Sequence, residues 1–218
     1  MPPGKPRAPV FLTAAQLQPP PVPPALHYQF RPDAPHPYLI ERGLSDDALE
    51  CFDLGCSAQA INLHGRAPIP LHAADGTLTG YAARWPADPV PRDKAKYRFL
   101  GAGEDEPFNL HRVLKVGGSL PILLTTAPFD VFHLWQCGCE SVLGIFTHEL
   151  RDRTLHRILD HFRNRQFILL FDETERGRGL RSYLTERLSR VAYVRAMEFL
   201  ESGRKVGSLT REEVRDEL

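Results

Sequence analysis

Phe167-Ile168-Leu169-Leu170-Phe171-Asp172-Glu173-Thr174-Glu175-Arg176-Gly177 is a short apolar run that enters an acidic turn and then reaches a glycine. An apolar run without alternation has the texture of a strand buried on both faces, as in parallel sheets. Pro121 to Thr125, Ser141 to Phe146 and Tyr193 to Phe199 share that texture. Between these runs lie segments with helical spacing, Phe129 to Cys137, Leu150 to Phe162 and Gly177 to Ser189. Strand and helix in alternation predict an α/β fold, a parallel sheet with right-handed crossovers flanked by helices. Chemistry in such sheets gathers at the carboxyl ends of the strands. The candidate functional residues therefore lie in Thr125-Thr126-Ala127-Pro128-Phe129-Asp130 after the first strand and Asp172-Glu173-Thr174-Glu175 after the third.

Upstream of Gly117-Gly118 the texture differs. Ser45 is an N-cap candidate for a helix over Asp46 to Phe52, whose acidic first turn suits the helix dipole. Ala67 to Leu71 and Leu78 to Arg84 read as two strands joined through Asp75-Gly76, a hairpin dipeptide. A looser basic stretch, Arg92 to Arg98, follows. Before all of this comes a run dense in proline, including Pro19-Pro20-Pro21-Val22-Pro23-Pro24, which favours extended backbone and reads as a spacer. The chain thus divides into a proline-rich arm (1–37), a small mixed α+β module (38–116) and a parallel-sheet domain (117–218).

Composition narrows the class. A hydrophobic fraction of 42% in 218 residues is enough for a packed core. No apolar run approaches the roughly 18 residues of a membrane span, and no signal-peptide layout opens the chain, so a folded cytoplasmic protein with no membrane partner is expected. Lys plus Arg (27) balances Asp plus Glu (27), and overall charge points to no anionic partner. Locally, Arg151 to Arg195 holds eleven arginines against six acidic residues, which reads as either a solvated helix surface or a nucleic-acid surface. Cys51, Cys56, Cys137 and Cys139 lack zinc-knuckle spacing and read as reduced core thiols. His133, His148, His156 and His161 read as core or surface histidines, since His156 and His161 do not share a helix face as ligands would.

The strand-end segments resemble the TOPRIM domain of primases, topoisomerases and related nucleases, in which one strand ends in a Glu-Gly-x-x-Asp turn and a later one in Asp-x-Asp before a glycine-containing helix. The resemblance extends upstream and narrows to the bacterial-type DNA primase core, in a mobile-element or phage-like form. It covers about residues 36–218. His36-Pro37-Tyr38-Leu39-Ile40-Glu41-Arg42-Gly43-Leu44 and Phe52-Asp53-Leu54-Gly55 look like the opening of that core. Gly65-Arg66, Ile69-Pro70-Leu71, Gly80-Tyr81-Ala82-Ala83-Arg84-Trp85, Lys96-Tyr97-Arg98 and Phe108-Asn109-Leu110-His111-Arg112 continue it in order. The resemblance implies a role related to RNA-primer synthesis in DNA replication. It implies Mg2+ or Mn2+ held by strand-end carboxylates if the protein is active, and a template backbone gripped by Arg66, Arg84, Lys96, Arg98 and Arg112. Single-stranded DNA or an RNA–DNA hybrid, a helicase and a separate zinc-finger subunit are the partners it suggests. The zinc-binding module and helicase-interacting sequences that flank such a core are not recognisable in the chain.

The sequence departs from the pattern at its acidic positions. Thr126 stands for the family Glu, Ala127 for its Gly, Thr174 for the second Asp of the pair, and Lys205-Val206-Gly207 where a later acid is expected. A threonine neither takes a proton at neutral pH nor offsets a dication, so each replacement removes a full negative charge. Asp130 and Asp172 remain as catalytic candidates, with Asp172, Glu173 and Glu175 as candidate metal ligands. Asp130 also reads as a helix-opening acid, and Asp172 as a partner for Arg176 or Arg178. Gly177 and Gly179 read as sites of close helix–sheet packing. Three functional readings follow: a degenerate primase core that binds nucleic acid with transfer lost or impaired, a relocated metal site using Asp130, Asp172 and Glu173 or Glu175, and a non-catalytic protein-interaction module.

Overall fold

The structure is a computed structural model that describes residues 34–56, 63, 65–102, 106–146, 152–199 and 203–217. The proline tract, His148, Leu150 and Arg151 lie outside the described residues. Among the described residues no helix is long and apolar enough to cross a membrane.

Two short helices come first among the described residues, α1 (Pro37–Glu41) and α2 (Asp46–Cys51). Ser45 caps α2 as its sequence predicts, its hydroxyl accepting from the Ala48 N–H at 3.3 Å. An antiparallel sheet follows in the order β1 (Ala67–His72), β2 (Leu78–Arg84), β3 (Tyr97–Gly101). The β1–β2 hairpin turns through Gly76, whose φ of 89° suits a residue without Cβ. The basic stretch Arg92 to Arg98 is partly a strand after all. β3 pairs Arg98 with Ala83 and Tyr97 with Arg84, and lies at the sheet edge with Arg98 and Phe99 exposed. An edge strand lacks the two-sided apolar pattern that marks the other runs, which is why sequence texture missed it.

α3 (Leu110–Val116) leads into the second sheet, built from β4 (Ile122–Thr125), β5 (Val142–Gly144), β6 (Phe167–Leu169) and β7 (Val194–Ala196). All its pairings are parallel, in the order β5-β4-β6-β7. The crossovers are α4 (Pro128–Gln136), α5 (Asp152–Phe162) and α6 (Glu175–Leu188), and α7 (Arg211–Glu217) closes the chain. The α/β architecture and each of the four strand runs are borne out, the strands being shorter than the apolar runs that announce them.

The sheets share apolar packing. One cluster contains Leu39, Phe52, Ile69 and Ala82 of the first part together with Leu123, Phe132, Val142 and Ile168 of the second. Phe52 packs edge-to-face on Phe132 with ring centroids 4.8 Å apart, and Phe108 lies 5.6 Å from Phe132. Phe108 and Gly144 exchange backbone hydrogen bonds of 2.7 and 3.2 Å, stitching the connecting segment to the end of β5. A second cluster, with Ile122, Leu124, Phe167, Leu169 and Leu184, fills the opposite face of the parallel sheet.

Candidate functional site

The carboxyl ends of β4 and β6 open on a cleft of about 730 Å3 whose far wall comes from the antiparallel sheet and α1–α2 region. Thr126, Ala127 and Asp130 line it from β4 and α4, and Asp172, Thr174 and Glu175 from β6 and α6. Arg84, Lys96 and Tyr97 line it from the antiparallel sheet. Sequence position relative to the strand ends therefore located the floor of the cleft.

Pro128 at the first position of α4 presets the backbone as the chain leaves β4. Asp130 is drawn toward the strand by Thr125, whose hydroxyl donates to its Oδ2 at 3.0 Å. Burial, and then the neighbouring charge of Asp172, push the Asp130 carboxyl up to about 6. The Thr125 hydroxyl, the Ala127 backbone and Lys96 pull the other way. Desolvation wins over the helix-opening position. Asp172 is not paired with Arg176 or Arg178; its Oδ1 accepts from the Val206 N–H at 2.8 Å.

Extended backbone after β6 sends alternate side chains to opposite sides. Asp172 and Thr174 face the cleft, while Glu173 is buried on the other side against Arg181, at 3.0 and 3.3 Å, and Arg178, at 3.2 Å. The Arg181 guanidinium, with Arg178, holds the Glu173 carboxyl below the usual range. Thr174 caps α6, its hydroxyl accepting from the Gly177 N–H. Gly177 has no room for a side chain, since a Cβ there would lie 2.0 Å from the Asp172 carbonyl oxygen. Gly179 faces open space and packs against nothing.

The residues expected to face a template are not all brought together. Arg84 and Lys96 line the cleft; Arg66, Arg98 and Arg112 do not. Arg84 is only 2% exposed and donates to the Trp85 and Ala87 carbonyls, its guanidinium over the Tyr38 and Tyr97 rings. Arg66 braces the hairpin through the Ala83 and Ala95 carbonyls and stacks on Trp85. Burial and the charges of Arg98 and Arg84 lower its pKa. Arg112 is committed to the Cys51 carbonyl at 2.6 Å and lies over Phe52, which ties α3 to the end of α2. Several arginines in the Arg151 to Arg195 excess are likewise spent within the fold. Arg157 pairs with Glu106, Arg181 with Glu173, Arg187 with Asp152 and Arg190 with Glu186. The cysteines are free and partly exposed rather than fully buried; burial pushes the Cys139 thiol up to about 11.

Residues that sequence reasoning passed over complete the cleft. Lys205, Arg176 and Arg42 line it, Arg42 paired with Asp88 at 3.1 Å. Lys205 is delivered by backbone pairing, with the Gly203 N–H on the Glu173 carbonyl and the Glu173 N–H on the Arg204 carbonyl. Its only sequence signal was the acid missing from the segment Lys205-Val206-Gly207. Phe146 also lines the cleft, at a φ of 53° and beneath the Tyr97, Phe99 and Phe108 rings. No local pattern announces a left-handed phenylalanine.

The carboxylates do not fit a divalent site. Among the described residues no three His, Cys, Asp or Glu side chains cluster as metal ligands. Glu173 is turned away, the Thr174 hydroxyl is used as a cap, Asp130 and Asp172 each have an oxygen engaged, and Glu175, though it lines the same cleft, does not cluster with them as a third ligand. Magnesium asks for near-octahedral oxygen coordination, which this set does not offer.

An antiparallel three-stranded sheet facing the carboxyl ends of a parallel four-stranded sheet, with a cleft between, is the fold of the bacterial DNA primase catalytic core. The primase of Aquifex aeolicus, solved as its zinc-binding and RNA polymerase domains, aligns with TM-score 0.68 and 17% identity over 83% of this chain and 53% of that one. The RNA polymerase domain of the Mycobacterium tuberculosis primase DnaG aligns with TM-score 0.63 and 16% identity, over 82% and 73%. A DnaG primase catalytic domain bound to single-stranded DNA aligns with TM-score 0.63 and 17% identity, over 83% and 68%. The chain thus spans about half the length of the Aquifex structure. No protein-family model matches the sequence, and no curated protein does.

Proposed function

We propose that this chain is a primase-like protein that binds single-stranded nucleic acid in the cleft, in a role related to primer synthesis, with nucleotidyl transfer lost or severely impaired. The observation that carries this reading is the composition of the strand ends. The fold, the cleft and two carboxylates are in place, while Thr126 and Thr174 occupy the acidic positions and Glu173 is locked against Arg181. Joining nucleotides requires attack on an α-phosphate with offset of the developing charge, and in this chemistry divalent ions on carboxylates supply that offset. Binding makes a smaller demand. It needs cations for phosphates and flat apolar faces for bases, and the cleft presents Lys96, Lys205 and Arg176 together with Tyr97 and Phe146. The DNA-bound catalytic domain of the same fold supports nucleic acid as the ligand class.

Ribonucleotide incorporation on single-stranded DNA with Mg2+ or Mn2+ tests the catalytic half of the reading. The expected result is no product above a protein-free control. Robust template-directed product that Asp172→Ala abolishes would contradict it, and would favour a relocated site using Asp130, Asp172 and Glu175.

A further inference from the structure

The mismatch between this cleft and a divalent ion has a counterpart in what replaces the acids. Where the resemblance leads one to expect a later carboxylate stands the segment Lys205-Val206-Gly207, whose Lys205 and Gly207 both line the cleft, and the hydrogen bond from the Val206 N–H holds the segment beside Asp172. The cleft is lined by five cations, Arg42, Arg84, Lys96, Arg176 and Lys205, against four carboxylates, Asp88, Asp130, Asp172 and Glu175. Arg42 is spent on Asp88. Lys96, Arg176 and Lys205 are exposed, and among the described residues none of the three makes an ion pair. α4 and α6 both begin at the cleft, so the positive ends of two helix dipoles point to the same space. A dication entering it meets fixed positive charge, and a phosphate meets attraction.

From this arrangement we propose that the cleft binds phosphate groups directly through Lys96, Arg176 and Lys205, these side chains supplying the positive charge that a divalent ion would otherwise bring, so that binding is independent of metal. The proposal rests on the reading of the cleft as a nucleic-acid site and adds what neutralises the ligand there. Lys96 illustrates the exchange. Partial desolvation against the cleft wall, and then Arg84, lower its pKa even though the side chain stays exposed, while Asp88, Asp130 and Asp172 raise it, so the ammonium sits within the field of both strand-end carboxylates. The phosphate belongs either to a nucleic-acid backbone or to the triphosphate of a nucleotide, which share this chemistry.

Fluorescence anisotropy of a labelled single-stranded oligonucleotide, with the full chain, in EDTA and again in Mg2+, tests it. Affinity in EDTA is expected to equal or exceed that in Mg2+, since Mg2+ only competes for the phosphates. Lys205→Glu and Arg176→Glu are each expected to weaken binding about tenfold or more, and Lys205→Arg to stay near wild type. Circular dichroism and a thermal melt establish that each variant is folded. Metal-free ATP that displaces the oligonucleotide assigns the nucleotide triphosphate as ligand; an oligonucleotide that ATP leaves in place assigns the backbone. Binding that EDTA abolishes overturns the proposal, as does binding untouched by the charge reversals, and in both cases a nucleic-acid-binding protein remains. A wild-type chain that binds in neither buffer overturns the functional reading itself.

Discussion

Gly177 and Gly179 stand two residues apart in the same helix and look alike in sequence, yet they differ in what surrounds them. A Cβ at Gly177 would meet the Asp172 carbonyl, which is backbone and has nowhere to move, whereas one at Gly179 meets nothing. Gly177→Ala is expected to destabilise by about 2–4 kcal/mol, and Gly179→Ala to stabilise by up to about 1 kcal/mol through helix propensity, both read by urea unfolding. Asp130 gives a pH-dependent counterpart. Its carboxyl titrates near 6 in the folded state against an ordinary 3.8, so the folded chain holds the proton more tightly than the unfolded one. That contribution is complete below pH 4 and is lost as pH rises through 6. Asp130→Asn, which keeps an acceptor for Thr125, is therefore expected to be more stable than wild type by about 1–2 kcal/mol at neutral pH, after solvent screening, and equal to it at pH 4. Destabilisation at neutral pH would mean that the carboxylate is welcome there. At this scale the sequence identified Asp130, Asp172 and Thr174 because strand ends are readable from apolar runs. It did not separate Glu173 from its neighbours, because a side chain's direction depends on where the strand's alternation continues past its last paired residue.

Elements were legible in proportion to how far burial shaped them. The four parallel strands carry apolar residues on both faces and could be read directly, and the Ser45 cap and the Asp75-Gly76 turn marked their own places. β3 is an edge strand with polar and aromatic residues facing outward, and α3 is a short helix whose role is set by contacts far away in sequence, so neither had a local signature. What holds β6, α6 and β7 together is also a long-range device. Arg181 in α6 donates to Glu173 beyond β6 and to the Met197 carbonyl beyond β7 at 2.7 Å, and both charged side chains are buried. Removing Arg181 leaves the buried Glu173 with only the half-exposed Arg178, and removing Glu173 leaves a buried guanidinium with the Met197 carbonyl and Glu198 at 3.9 Å. Arg181→Ala and Glu173→Ala are each expected to cost about 3–5 kcal/mol, with the double variant well short of the total of the singles. Additive losses in a double-mutant cycle would contradict the pairing. Were Glu173 instead a free ligand in the cleft, its replacement would leave stability nearly unchanged.

The whole molecule brings two sheets together so that carboxyl strand ends, two helix starts and an edge strand face a single cleft. The fold was open to sequence reading because its order of matches runs the length of the described chain. The cleft's electrostatic character was hidden, since Lys205 reaches it only through the pairing of the 203–206 segment with the residues after β6, and Arg176 only through the direction in which α6 leaves that strand end. Fold and charge together make the central claim, that the cleft holds a nucleic-acid strand by its phosphates while the chemistry at the strand ends has been lost. A salt titration of single-stranded DNA binding by the wild-type chain tests it most directly. Two to three phosphate contacts predict a linear fall of log affinity against log salt with a slope of about −1.5 to −2, becoming shallower by about 0.7 for each cleft cation removed. Affinity that does not respond to salt, or no binding even at low ionic strength, would contradict it and leave the cleft to a protein partner.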